Sequence, residues 1–71
     1  MNTKMIAEII VYQTGQEPFP CARRNGEDAH GIARIANSWL ADGADRVTVS
    51  VRGTEYEVGA WLDYIGQEAM A

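Results

Sequence analysis

Cys21 and His30 are the only cysteine and the only histidine in the chain. A thiol beside an imidazole is the pairing from which an activated nucleophile is built. Here no third side chain in a recognisable context orients the imidazole, and Cys21 lies in a proline-bounded stretch, Pro18-Phe19-Pro20-Cys21. The sequence therefore assigns Cys21 a passive role, as a small apolar side chain or an exposed thiol. These two residues are too few for a cysteine-histidine zinc site, and a single cysteine excludes a disulfide within the chain. No cofactor or metal is expected.

Acid–base chemistry has one candidate cluster. Glu55 and Glu57 alternate on one face of a predicted strand, with Glu8 on another strand. Paired carboxylates do proton-transfer work only where an enclosing pocket drives their pKa values apart, and an open sheet in so short a chain has little room for one. They read as a solvated strand face. Arg23 and Arg24 stand side by side before a predicted helix start, where a phosphate or a partner's carboxylate could be held. Glu27 and Asp28 follow at once and oppose an anion. Gly15, Gly26 and Gly31 do not make a phosphate-binding loop. No enzyme activity is expected.

Aromatic and arginine side chains anchor protein interfaces. Phe19 is displayed between two prolines, and Trp61 and Tyr64 share a short terminal helix of which only one direction can face a sheet fully. Phe19, Arg23, Arg24, Trp61 and Tyr64 are accordingly the expected contact residues. Trp39 falls on the core side of the longer helix.

The elements that must position these groups follow from periodicity. Met5–Tyr12 reads as a strand, with Met5, Ala7, Ile9 and Val11 on a wholly apolar face and Lys4, Ile6, Glu8, Ile10 and Tyr12 on the other. Thr14 to Gly26 reads as a long connection in which Pro18 and Pro20 oppose regular structure. A helix is predicted from about Glu27 to Asp42, capped by Asn25, with Glu27 and Asp28 in its first turn and Gly43 as a left-handed terminator. Its apolar stripe is Ala29, Ile32, Ala33, Ala36, Trp39 and Leu40. Gly31 within it lowers helix propensity unless a close backbone contact explains it.

Arg46 to Val58 reads as a hairpin, with Val47, Val49, Val51, Thr54, Tyr56 and Val58 alternating with polar residues. A Gly53-Thr54 type II′ turn sets Arg52 opposite Glu55 and Val49 opposite Val58. Placing Arg52-Gly53 in the turn instead shifts the pairing and keeps the faces. Gly59 to Met70 completes the chain as a helix with Trp61, Leu62, Ile65 and Ala69 as its stripe. The expectation is an α+β domain of order β-α-β-β-α covering residues 1–71. It has a three-stranded sheet with a C-terminal hairpin, two helices packed on it, and parallel first and second strands joined by a right-handed crossover.

Composition sets the outer limits. Seventy-one residues make one domain, in which 46% hydrophobic and 23% charged residues are ordinary for a folded protein. Six basic against ten acidic residues leave a net charge of −4, which argues against broad phosphate-driven binding of nucleic acid. The apolar stretch after Lys4 is interrupted by Glu8 and lacks a cleavage site, so a cytoplasmic address without membrane association is expected.

In the order of its elements, from Met5–Tyr12 through Glu27–Asp42 to Val47–Val58 and Trp61–Met70, the chain resembles the small inhibitors encoded by phages and mobile elements, including anti-CRISPR proteins. Its layout is also similar to that of small modulators of the recombination filament. The first resemblance implies a non-catalytic protein-binding module that blocks a host protein or nucleoprotein complex. No diagnostic motif accompanies it, and no functional residue is carried across. The alternatives are a small nucleic-acid-associated or regulatory protein, using Lys4, Arg46, Arg52, Arg23 and Arg24, and an accessory subunit of an enzyme. A homodimer, formed edge to edge or through Trp61 and Tyr64, is compatible with so small a domain.

Overall fold

The computed structural model describes residues 5–70, with side chains to residue 66. Lys4 lies outside the described residues, as does the side chain of Ala69. Strand β1 spans Ile6–Tyr12, β2 Phe19–Asn25, β3 Arg46–Val51 and β4 Thr54–Glu57; helix α1 spans Ala29–Ala41 and α2 Val58–Met70. The strands form one sheet in the order β2-β1-β3-β4, and every neighbouring pair is antiparallel.

The fold is thus α+β with two helices, but the sheet has four strands rather than the three expected. The added strand is β2, drawn from the stretch read as a long connection. Two prolines there pointed away from a strand. Pro18 lies before the strand, and Pro20, the one proline within it, is tolerated because β2 is an edge strand with a bulge at the next residue. Its register against β1 slips between Ile9 and Ile10, pairing Ile9 with Ala22 and Ile10 with Pro20 and leaving Cys21 as the extra residue of a bulge.

Because β2 reverses the chain before α1 begins, β3 returns antiparallel to β1. The expected parallel pair with a right-handed crossover is therefore replaced by the pairing of Ala7 with Val51, Ile9 with Val49 and Val11 with Val47. Those side chains are buried with Ile32 and Ala36 of α1 and with Trp61 and Ile65 of α2. Both helices pack on this face, α1 against β1 and β3 and α2 against β3 and β4. The opposite face carries no helix.

Helix α1 begins two residues later than its expected start at Glu27. The N-cap is Asp28, whose carboxylate accepts from the Gly31 N–H at 3.0 Å. Asn25 instead makes a turn that precedes the helix, its side-chain oxygen accepting from the Glu27 N–H at 3.0 Å. Glu27 and Asp28 therefore stand before the first turn. Gly31 has its explanation here: a Cβ at this position would fall 2.2 Å from the Asp28 carboxylate oxygen. Ala29, placed on the expected apolar stripe, is exposed. Gly43 follows the helix at φ +105°, as its left-handed reading requires.

The hairpin turns on Arg52-Gly53, not Gly53-Thr54. Val51 pairs with Thr54, Ser50 with Glu55, Val49 with Tyr56 and Thr48 with Glu57. Arg52 and Gly53 both have positive φ, 52° and 81°, the signature of a type I′ turn whose twist matches the strands. Val58 leaves the strand and opens α2 directly.

Candidate interaction surface

The helix-free face of the sheet brings together the acidic candidates. Glu8 lies opposite Arg23 on β2 and Ser50 on β3, and Ser50 lies opposite Glu55 on β4. Arg23 Nε meets Glu8 Oε2 at 3.2 Å. Arg46 pairs with Glu57 and rests 4.8 Å from the centre of the Tyr12 ring. Glu55 accepts hydrogen bonds from the hydroxyls of both Tyr12 and Thr48, and Thr48 is completely buried.

These contacts fix the electrostatics. The Thr48 hydroxyl, then that of Tyr12, holds the Glu55 carboxyl below its ordinary value. The same bond from the carboxylate, with some burial, pushes the Tyr12 hydroxyl up, and the Glu57 carboxylate keeps Arg46 protonated still more firmly. Glu55 is thereby held in its charged form by hydroxyls of its own chain. A general acid needs the reverse, a carboxyl raised towards neutrality. Among the described residues no group of three or more His, Cys, Asp or Glu is placed to hold a metal ion.

Cys21 and His30 are not brought together as a hydrogen-bonded pair. Cys21 is half-buried on the β2 bulge, where burial raises its thiol pKa, and His30 is exposed on α1.

The five expected contact residues do not form one surface: Phe19, Arg23 and Arg24 belong to β2, and Trp61 and Tyr64 stack together on α2. Phe19 is half-buried and packs edge-on against Trp39, with ring centres 5.5 Å apart and planes at 73°. Arg23 lies on the helix-free face with its side chain 75% exposed. Arg24 is exposed on the same edge strand, opposite Ala7. Trp61 is 3% exposed and belongs to the core, whereas Tyr64 is 50% exposed.

Around Trp61 a site takes shape that also uses residues the sequence reading did not nominate. The indole N–H donates to the carbonyl of Gly26 at 2.8 Å in a buried bond. Tyr56 stacks on Trp61 at 5.0 Å and Tyr64 at 5.4 Å, both tilted. Next to these rings is a cleft of about 240 Å³ between the hairpin and α2, lined by Met5, Val51, Arg52, Thr54, Tyr56, Trp61 and Tyr64. Arg52 and Tyr56 were legible in part. The hairpin alternation puts Tyr56 on the helix side, but only the true register places Arg52 at the turn beside the cleft.

Comparison with protein-family models, with curated proteins and with solved structures finds no match for this chain. Among the described residues no helix is long and apolar enough to cross a membrane.

Proposed function

We propose that the chain is a non-catalytic protein-binding module whose contact surface is the cleft bounded by Arg52, Tyr56 and Tyr64. The observation that carries this reading is Tyr64, half-exposed and stacked on a buried, hydrogen-bonded Trp61. A large aromatic held rigid by the core loses little conformational freedom on binding, which is what an interface anchor needs. On the helix-free face Glu8, Glu55 and Glu57 are each engaged by side chains of the same chain, which suits a surface of structural contacts. A phage-type inhibitor that occupies a surface of a host protein or nucleoprotein complex is the setting this module fits.

The test is a tagged pull-down from a bacterial lysate, with and without nuclease, comparing the unaltered chain with Tyr64→Ala. A stoichiometric protein that survives nuclease and is lost from Tyr64→Ala is the expected result. Nucleic acid recovered alone, and released by moderate salt, would overturn the proposal in favour of a nucleic-acid-associated protein.

A further inference from the structure

We infer that the cleft takes one large apolar side chain of a partner peptide while Arg52 binds a carboxylate beside it, so that the partner segment is acidic with a single apolar anchor. This rests on the protein-binding reading and names the chemistry of the partner.

Size and lining set the first half. A volume of about 240 Å³ falls below the range of roughly 300–1,000 Å³ in which drug-sized ligands and cofactors sit, and suits one side chain. The lining is mixed: Met5, Val51, Tyr56, Trp61 and Tyr64 contribute apolar or aromatic side chains, and Arg52 and Thr54 contribute polar ones. The indole N–H of Trp61 is already bonded to Gly26, so it offers a guest no donor.

Charge sets the second half. Arg52 is the cationic residue lining the cleft, and among the described residues it makes no ion pair, unlike Arg23 and Arg46. Glu55, close in sequence, is held on the other face of the sheet by Tyr12 and Thr48. A planar guanidinium at an apolar rim is suited to two parallel hydrogen bonds to a carboxylate.

Backbone conformation is an independent pointer. Arg52 is the non-glycine residue with positive φ among those described, at a turn position that favours asparagine, aspartate or glycine. An arginine kept there against local preference marks a position held for function. A polynucleotide could also use arginine and aromatic groups, but a net charge of −4 repels a polyanion more than it does a lone carboxylate.

The experiment is a titration of the full chain, followed by amide and indole NMR shifts, with three probes: indole-3-propionate, tryptamine and adenosine monophosphate. The first two present the same ring with opposite charge. Saturable shifts at Tyr56, Tyr64 and the Trp61 indole are expected for indole-3-propionate, at least about fivefold tighter than for tryptamine, an ordinary margin for one charge-assisted contact. Arg52→Asn should erase that preference while raising Tm by about 4–8 °C, as relief of turn strain in a domain of this size would. Arg52→Gly serves as a second variant should the first fail to fold. Equal or tighter binding of tryptamine, a preference that survives in both variants, tighter binding of the nucleotide, or no binding at the cleft would each overturn the inference. If a protein captured in the pull-down ignores Arg52, the acidic-anchor assignment fails and the module reading stands. Probe selectivity without any captured protein counts against the module reading instead.

Discussion

Trp61 of α2 donates its indole N–H to the carbonyl oxygen of Gly26 across 2.8 Å, tying the last helix to the turn that follows β2. Gly26 is itself buried and donates its N–H to the Met5 carbonyl at 2.8 Å. A Cβ there would lie 3.1 Å from Met5 Sδ and 3.3 Å from the Trp61 ring, so the turn and the indole are fitted to each other. This one contact joins the edge strand, the start of β1 and α2, and it holds the floor on which Tyr56 and Tyr64 rest.

Trp61→Phe keeps an aromatic ring and removes the donor, leaving a buried carbonyl unpaired. The cost expected from an orphaned buried acceptor is about 1–3 kcal/mol, with some packing loss added. Tyr64→Ala, at a half-exposed position, should cost less than Trp61→Phe. Urea unfolding of both variants measures the difference, and a Trp61→Phe variant as stable as the parent would show that the bond does not hold α2 in place.

Turn conformation gives a second prediction. Gly53 has φ +81° with open space around a notional Cβ, so Gly53→Ala isolates backbone strain from steric contact. A loss of about 1–2 kcal/mol is expected, the usual penalty of the left-handed region for a residue bearing Cβ. Gly59→Ala, where no such φ occurs and a Cβ also meets open space, should instead be neutral or stabilising because α2 contains it. Thermal unfolding of the pair separates the two cases.

The contrast between β2 and the hairpin shows what the residues could disclose. Alternating valines at 47, 49 and 51 state both strand and face, because period-two burial is a local property. The same holds for Ile32 and Ala36 on the helix, and for Gly43 beyond its end. β2 carries no such alternation. At an edge with a bulge at Cys21, its pairing is set by the neighbouring β1 rather than by its own pattern. Missing β2 then inverted the relation of β1 to β3, since each added strand reverses the chain. The cleft was hidden for a related reason: Arg52 reaches it only in a type I′ register, and Met5 and Val51 join it only through the sheet order.

Asp28 and Gly31 form a coupled pair at the start of α1, and a double-mutant cycle should expose the coupling. Asp28→Ala removes the cap, at a cost of about 1 kcal/mol. Gly31→Ala gains helix propensity of about 1 kcal/mol, but its Cβ would stand 2.2 Å from the Asp28 carboxylate and displace it. Alone, then, Gly31→Ala should be close to neutral. In the Asp28→Ala background the same change should stabilise by about 1 kcal/mol, giving the non-additivity expected of contacting residues. Equal effects in both backgrounds would mean that the carboxylate moves aside without losing its bond.

The thiol of Cys21 is raised by burial on the β2 bulge, so less thiolate is present at neutral pH than for an exposed cysteine. Alkylation by iodoacetamide at pH 7 should therefore be several-fold slower in the folded chain than in urea, and it should speed up when β2 is loosened by Phe19→Ala. Folded and unfolded rates that coincide would show that the bulge neither buries nor restrains this side chain.

The network on the helix-free face predicts opposite pH limits for two of its members. Glu55 has a lowered native pKa, first through Thr48 and then through Tyr12. Its contribution is present above the unfolded carboxyl value near about 4.3 and is lost as pH falls through the lower native value. Tyr12 has a raised native pKa, chiefly through Glu55. The folded form then retains its proton when the unfolded form has lost it, so stability falls as pH rises above about 10. Glu55→Gln should flatten the acid limb and weaken the alkaline one, because the same carboxylate raises Tyr12. Thr48→Val, which keeps the buried volume and removes the hydroxyl, should reduce the acid limb and keep or enlarge the alkaline one, because the Thr48 hydroxyl holds the Tyr12 value down. Unfolding free energies collected from pH 2 to 11 test both. An acid limb unchanged in Glu55→Gln would mean that water screens these exposed contacts fully.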